Sequence, residues 1–182
     1  VNSDLVGKVV NIASRCAGFI AKRFDNQLSA ECAEPELLAE AIAAGDSIAA
    51  HFEAREFGRA VREIMALADR ANQYIDEKKP WALAKIEGKE AEVHAVCSVG
   101  INLFRQLITY LAPILPAMAA QSAAFLQVAN LDWEHRRELL LNHRIGEFSP
   151  LMTRVDPTHV AALVSASQDS LSAADAASAT TG

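Results

Sequence analysis

Apolar residues recur along this chain at three-and-four spacing, the period of a helix that buries one stripe. Val9, Ile12, Cys16 and Phe19 form the first stripe, on a helix capped at Ser3, favoured by Asp4 in its first turn and running to about Phe24. Residues 25–34 read as a polar connection. Pro35 suits the first position of a second helix to about Ala54, weakened in the middle by Gly45. A third helix starts near Arg55 or Glu56 and carries Phe57, Val61, Ile64, Leu67, Ala68, Ala71 and Ile75 on its buried face. It stops at Lys78, because Pro80 has no N–H and clashes with the preceding turn. After a short turn at Trp81 and a break at Glu87-Gly88-Lys89, a strongly apolar helix covers about Glu90–Leu111 and ends at Pro113 and Pro116. A helix over about Ala117–Val128 and a short one over 133–141 follow. Residues 143–156 are irregular, and Pro157 opens a last helix to about Ser167. The pattern predicts an all-α chain, an antiparallel helix bundle over 1–167, with an Ala/Ser-rich linker or tail over 168–182.

Composition narrows this picture. The 182 residues suffice for one domain with a core, and 51% hydrophobic against 6% aromatic residues fits alanine-rich helices. No apolar run approaches the ~18 residues of a membrane span, and the opening lacks a secretion signal's basic-then-apolar pattern. Three cysteines, Cys16, Cys32 and Cys97, without a C-x-x-C argue against a disulfide framework or zinc site and for the cytoplasm. The net charge of −6 excludes a binder working by general phosphate neutralisation. Any RNA contact must be local. Residues 1–24 are the basic exception, with Lys8, Arg15, Lys22 and Arg23 against Asp4.

Two features carry candidate chemistry. Trp81 sits on a helix break between Lys79 and Lys85, a flat π-surface in a basic setting that suits stacking on an unpaired base. On the first helix, Asp4, Lys8, Asn11, Arg15, Gly18 and Lys22 fall within a sector of roughly 80°. Asn11 and Arg15 lie one turn apart and offer a donor–acceptor pair and a fork of donors, the groups that read base edges. Gly18 would admit a close approach. Two readings stay open: the stripe and Trp81 surround one or two bases, or Trp81 plugs a core and the stripe only meets water.

The segments Asn2–Asn11, Ala13-Ser14-Arg15, Phe57–Asp69, Asn72–Asp76, Pro80-Trp81, Gly100–Arg105 and Tyr110–Pro116 resemble the anticodon-binding domain of bacterial methionyl-tRNA synthetase. The likeness runs from residue 1 to about 167, most weakly over Asn26–Ala54. It implies a class I synthetase anticodon-binding bundle that recognises the CAU anticodon of methionine tRNA. Trp81 would stack on the first anticodon base, with Pro80 setting its geometry. Asn11 and Arg15 would hydrogen-bond to bases, Asp76 would repel the phosphates of wrong tRNAs, and Arg154 would lie near the anticodon arm. The H-x-G-H and K-M-S-K-S signatures of class I synthetases do not occur, nor does a Gly-rich phosphate loop. The resemblance therefore implies a non-catalytic portion of an ATP-dependent methionine–tRNA ligase, with ATP and zinc belonging to a catalytic domain that would be its partner.

Other constellations are weaker. Asp132-x-x-His135 and Asp156-x-x-His159 sit at the starts of short late helices and supply too few carboxylates for a di-iron site. His94 and Cys97 lie three apart in an apolar helix, without support for a nucleophilic dyad. Trp133 reads as an anchor rather than a second stacking site. No metal site, membrane or DNA partner is expected, and the rival to anticodon recognition is a non-catalytic scaffold or protein-interaction bundle.

Overall fold

A computed structural model describes residues 2–152, 156 and 158–167. The chain opens as a π-helical stretch, Asn2–Val10, that passes directly into α1 (Asn11–Phe24). Ser3 thus lies inside the opening helix instead of capping it. α2 spans Pro35–Glu53, α3 Phe57–Lys78, α4 Pro80–Leu83, α5 Glu90–Leu111 and α6 Pro116–Leu126. Three of these begin with proline at N1, where the missing N–H costs nothing. Asp25, Lys79 and Gln127 adopt left-handed conformations that close α1, α3 and α6. Among the described residues the all-α architecture is broken only by an isolated antiparallel bridge, Gln27 to Arg144.

α5 is the central post, buried without interruption from Val96 to Leu111. α1, α2, α3 and α6 pack around it. Ile12, Ile20, Ile48, Ile64, Ile75, Phe104 and Leu107 are almost wholly buried, each worth about 1.5–3 kcal/mol relative to exposure. α2 runs antiparallel to α3, tied by Glu34–Lys78 (2.7 Å), Glu40–Arg70 (3.7 Å) and Ser47–Glu63 (3.0 Å). α1 and α3 run parallel, side by side on α5.

Residues 133–141 do not form the expected short helix. Only Glu134–Arg137 winds, as one 3₁₀ turn, and the chain then extends. Side chains of α5 take the backbone groups that helical bonds would have used. Arg105 donates to the carbonyls of His135 (2.8 Å) and Glu138, and Gln106 to that of Arg136 (2.6 Å). Asn102 accepts from Leu140 N–H at 2.7 Å and donates to its carbonyl at 3.1 Å. Trp133 anchors the start of this strap, 5.0 Å from the ring of Tyr110.

Two glycines permit close approaches. A Cβ on Gly45 would lie 2.7 Å from the Tyr110 hydroxyl, which donates to the Ala41 carbonyl at 2.9 Å. A Cβ on Gly100 would lie 2.5 Å from Cys16 Sγ. Cys16 and Cys97 are buried core residues, as their helical pattern predicts. The Cys97 thiol beside it and burial hold the Cys16 thiol well above its ordinary pKa, so it is not a reactive thiolate.

Candidate nucleic-acid interface

The site grows from the joint between α3 and α4. Lys79 N–H donates to Ile75 O at 2.9 Å and closes α3, while Lys79 O accepts from Ala82 N–H at 2.8 Å and opens α4. One left-handed residue, φ 48°, therefore serves both helices. Pro80 is buried beneath the joint. Its fixed φ starts α4 without a free N–H and swings Trp81 outward, 37% exposed. Trp81 is thus not the plug of a helical core. Arg23 of α1 donates to Ala84 O at 2.8 Å and braces the far side of α4.

The polar stripe of the first helix does not simply meet water. It lies against a matching stripe on α3, and the three side-chain pairings between them share a separation of 61 residues. Lys8 Nζ bonds Asp69 at 2.8 Å, Asn11 Nδ2 donates to Asn72 Oδ1 at 3.4 Å, and the Arg15 guanidinium pairs with the Asp76 carboxylate. Asn72 also donates to the carbonyls of Lys8 (3.2 Å) and Ala68 (2.8 Å). A hydrogen bond from Lys8 to Asp69 raises the pKa of Lys8, against an opposing effect of desolvation. The ladder ends at Trp81, where the Arg15 guanidinium carbon stands 4.5 Å from the ring centroid, a cation–π contact.

Asn11, Arg15, Asp76, Pro80 and Trp81 therefore gather at one end of the α1–α3 seam. Arg154 lies outside the described residues. Gly18 is exposed, and a Cβ there would meet nothing within 4 Å, so the seam stays open beyond Arg15. Asp69, Asn72 and Arg23 are the contributors that the sequence reading missed. A signal existed for two of them: Asp69, Asn72 and Asp76 repeat the spacing of Lys8, Asn11 and Arg15 with complementary charge.

Chemically, the seam presents a flat indole, a guanidinium fork over one of its faces, and an exposed carboxylate that holds the fork. His94, expected to make no dyad with Cys97, instead stacks on Phe24 at 4.1 Å and hydrogen-bonds Gln27 O at 2.7 Å. Asp132 Oδ1 accepts from the backbone N–H of His135 at 2.9 Å and pairs with its ring Nδ1 at 2.6 Å. Among the described residues no cluster of three His, Cys, Asp or Glu could hold a metal ion, and no helix is long and apolar enough to cross a membrane.

Residues 27–147 match the family model described as the anticodon binding domain of methionyl tRNA ligase. That span contains Asp76, Pro80 and Trp81, and it includes much of the segment where the resemblance was weakest. The methionine–tRNA ligase of Psychrobacter arcticus is 59% identical over 176 residues, 97% of this chain and 25% of its own length. That of Psychrobacter sp. is 56% identical over 98% of this chain and 26% of its own length. The chain thus spans about a quarter of the curated relatives it matches. In fold it resembles the apo methionyl-tRNA synthetase of Mycobacterium tuberculosis, with a TM-score of 0.80 at 24% identity over 86% of this chain and 33% of that one.

Proposed function

Since the chain belongs to the family of anticodon-binding domains of methionyl-tRNA ligases, we propose that it reads the CAU anticodon loop of methionine tRNA. Trp81 stacks on the first anticodon base, and Asn11 and Arg15 hydrogen-bond to base edges. The observation that carries the reading is the convergence at one seam: an outward indole, a guanidinium 4.5 Å above it, and an exposed carboxylate on that guanidinium. Lys22, Arg23, Lys79 and Lys85 around this end supply local positive charge that the net charge of −6 conceals. Asp76 competes for Arg15, so an incoming loop must offer better partners than the carboxylate it displaces.

Methionine activation by ATP, and any zinc that supports it, belong to the rest of a cytoplasmic ligase. The described residues of this chain offer neither a phosphate-cradling Gly-rich loop nor a metal-ligand cluster. The deciding experiment titrates the full-length ligase with a methionine tRNA anticodon stem-loop and with one carrying a single change in CAU, following tryptophan quenching. Quenching that is lost with Trp81→Phe, and affinity that collapses with the base change, are expected. Equal affinity for both loops refutes base reading and favours a scaffold.

A further inference from the structure

The middle rung of the α1–α3 ladder is neutral, unlike the ionic rungs on either side of it. Asn72 gives both N–H groups of its amide to main-chain carbonyls, one on each strip: Lys8 O of the opening helix at 3.2 Å and Ala68 O of α3 at 2.8 Å. A carbonyl only accepts, so these two contacts fix which end of the Asn72 amide is which. Its Oδ1 is left for Asn11, and it too only accepts. Asn11 must therefore turn its Nδ2 towards Asn72, at 3.4 Å, and its own Oδ1 away. That oxygen takes no donor among the described residues and is not buried. One turn further on, Arg15 has committed one nitrogen to Asp76 and keeps the rest of its fork of donors.

We infer that Asn72 is a positioning residue that fixes Asn11 as an acceptor, so that the seam selects a base amino group. The inference rests on the proposed anticodon reading. An acceptor from Asn11 beside donors from Arg15 matches an amino group next to a ring-nitrogen acceptor. Cytosine and adenine carry that pair on the Watson–Crick edge, whereas uracil has a carbonyl where cytosine has its amino group and would set oxygen against oxygen. Two bases of CAU therefore qualify, and the experiment separates them. An Asn11 amide free to turn would present either end, and a base with a carbonyl in that place would serve as well. The lock from Asn72 removes this second choice before the RNA arrives, which is preorganisation of the reading group.

The test uses the full-length ligase and stem-loops from which one amino group is removed: pyrimidin-2-one in place of the cytosine, or purine in place of the adenine. Tryptophan quenching gives each affinity relative to the CAU loop. One of the two deletions is expected to cost about fivefold, the net worth of a neutral hydrogen bond, and it marks the base that Asn11 reads. Asn72→Ala should shrink that ratio to less than about twofold, because nothing then holds the Asn11 amide. Asn72→Asp keeps an acceptor opposite Asn11 and should retain the ratio, although its carboxylate lies against two carbonyls and lowers the unfolding midpoint. A merely structural Asn72 would weaken all loops alike and leave the ratio unchanged in both variants. An unchanged ratio in Asn72→Ala overturns the inference, and so does a ratio lost in Asn72→Asp. A CAU loop that quenches Trp81 but loses nothing with either deletion also overturns it. A CAU loop that does not quench at all refutes the anticodon reading itself, and this inference with it.

Discussion

Replacing Asp76 with asparagine separates two roles for its carboxylate. Asp76 either competes with RNA for Arg15 or orients Arg15 towards it. The Arg15–Asp76 pair has side-chain exposures of 21% and 61%, so breaking it costs no more than about 1 kcal/mol, or roughly fivefold in affinity. The negative charge adds a second penalty, because a phosphate about 4 Å from it is repelled by about 1 kcal/mol in water. If competition dominates, Asp76→Asn binds the CAU stem-loop between about threefold and about 25-fold more tightly, depending on how much of each penalty applies. Asparagine keeps an oxygen for the guanidinium, so Arg15 should remain above Trp81 and stability should change by less than about 1 kcal/mol. A loop with one altered anticodon base should gain at least as much, since a released guanidinium serves any phosphate or base. The selectivity ratio then falls or stays level. Fluorescence titration of both loops over a salt series measures this, and the gain should shrink as salt shortens the Debye length below ~10 Å. Weaker binding of the CAU loop by Asp76→Asn would refute the competition argument.

Trp81→Ala should lower stem-loop affinity by about 1–3 kcal/mol through lost stacking and barely move the unfolding midpoint. A large drop in stability would mean that the exposed indole is a core element after all. Gly100→Ala should cost about 1–3 kcal/mol by overpacking against Cys16 Sγ. Cys16→Ala in the same chain should return much of it, a coupling that a denaturant double-mutant cycle detects. His135 should titrate above the ordinary imidazole value of about 6.5, because Asp132 hydrogen-bonds and attracts its protonated ring; Asp132→Asn should bring it back, as NMR would record. By linkage, the raised His135 stabilises fully below about pH 6.5 and fades as pH rises through its folded pKa. The depressed Asp132, held down first by the His135 N–H, contributes above about pH 3.9 and is lost as pH falls through its folded pKa.

The helices were legible where local chemistry decides them. Pro35 at the start of α2, Pro80 at the end of α3 and the apolar period of α3 mark their own boundaries, while Pro116, read from the sequence as an end to α5, in fact opens α6. The joint at Pro80 and Trp81 was legible for the same reason. What the first helix faces was not, because a polar stripe looks alike whether water or another polar stripe opposes it. Only the tertiary arrangement pairs Lys8, Asn11 and Arg15 with α3. The strap at 133–141 escaped prediction because its hydrogen-bond partners sit some 30 residues upstream. Asn102, Arg105 and Gln106 look like interruptions in an apolar helix until the strap supplies the carbonyls and N–H groups they serve. The π-helical opening carries no sequence mark that we can identify.

The constant separation along the α1–α3 seam also acts as a gauge of alignment. Slide α3 by three or four residues in either direction and neither Lys8 nor Arg15 meets a carboxylate. Arg15 would face Asn72, Gln73, Lys79 or Pro80, and Lys8 would face Met65, Ala66, Asn72 or Gln73. A single alignment satisfies both cations, as a buried polar residue fixes the register of a coiled coil. The loop and helix between the two strips, residues 25–56, do not take part in this measurement. Related chains could lengthen or shorten that excursion and still deliver Arg15 to Trp81, whereas one residue gained or lost between Asp69 and Trp81 would turn the indole away from the guanidinium.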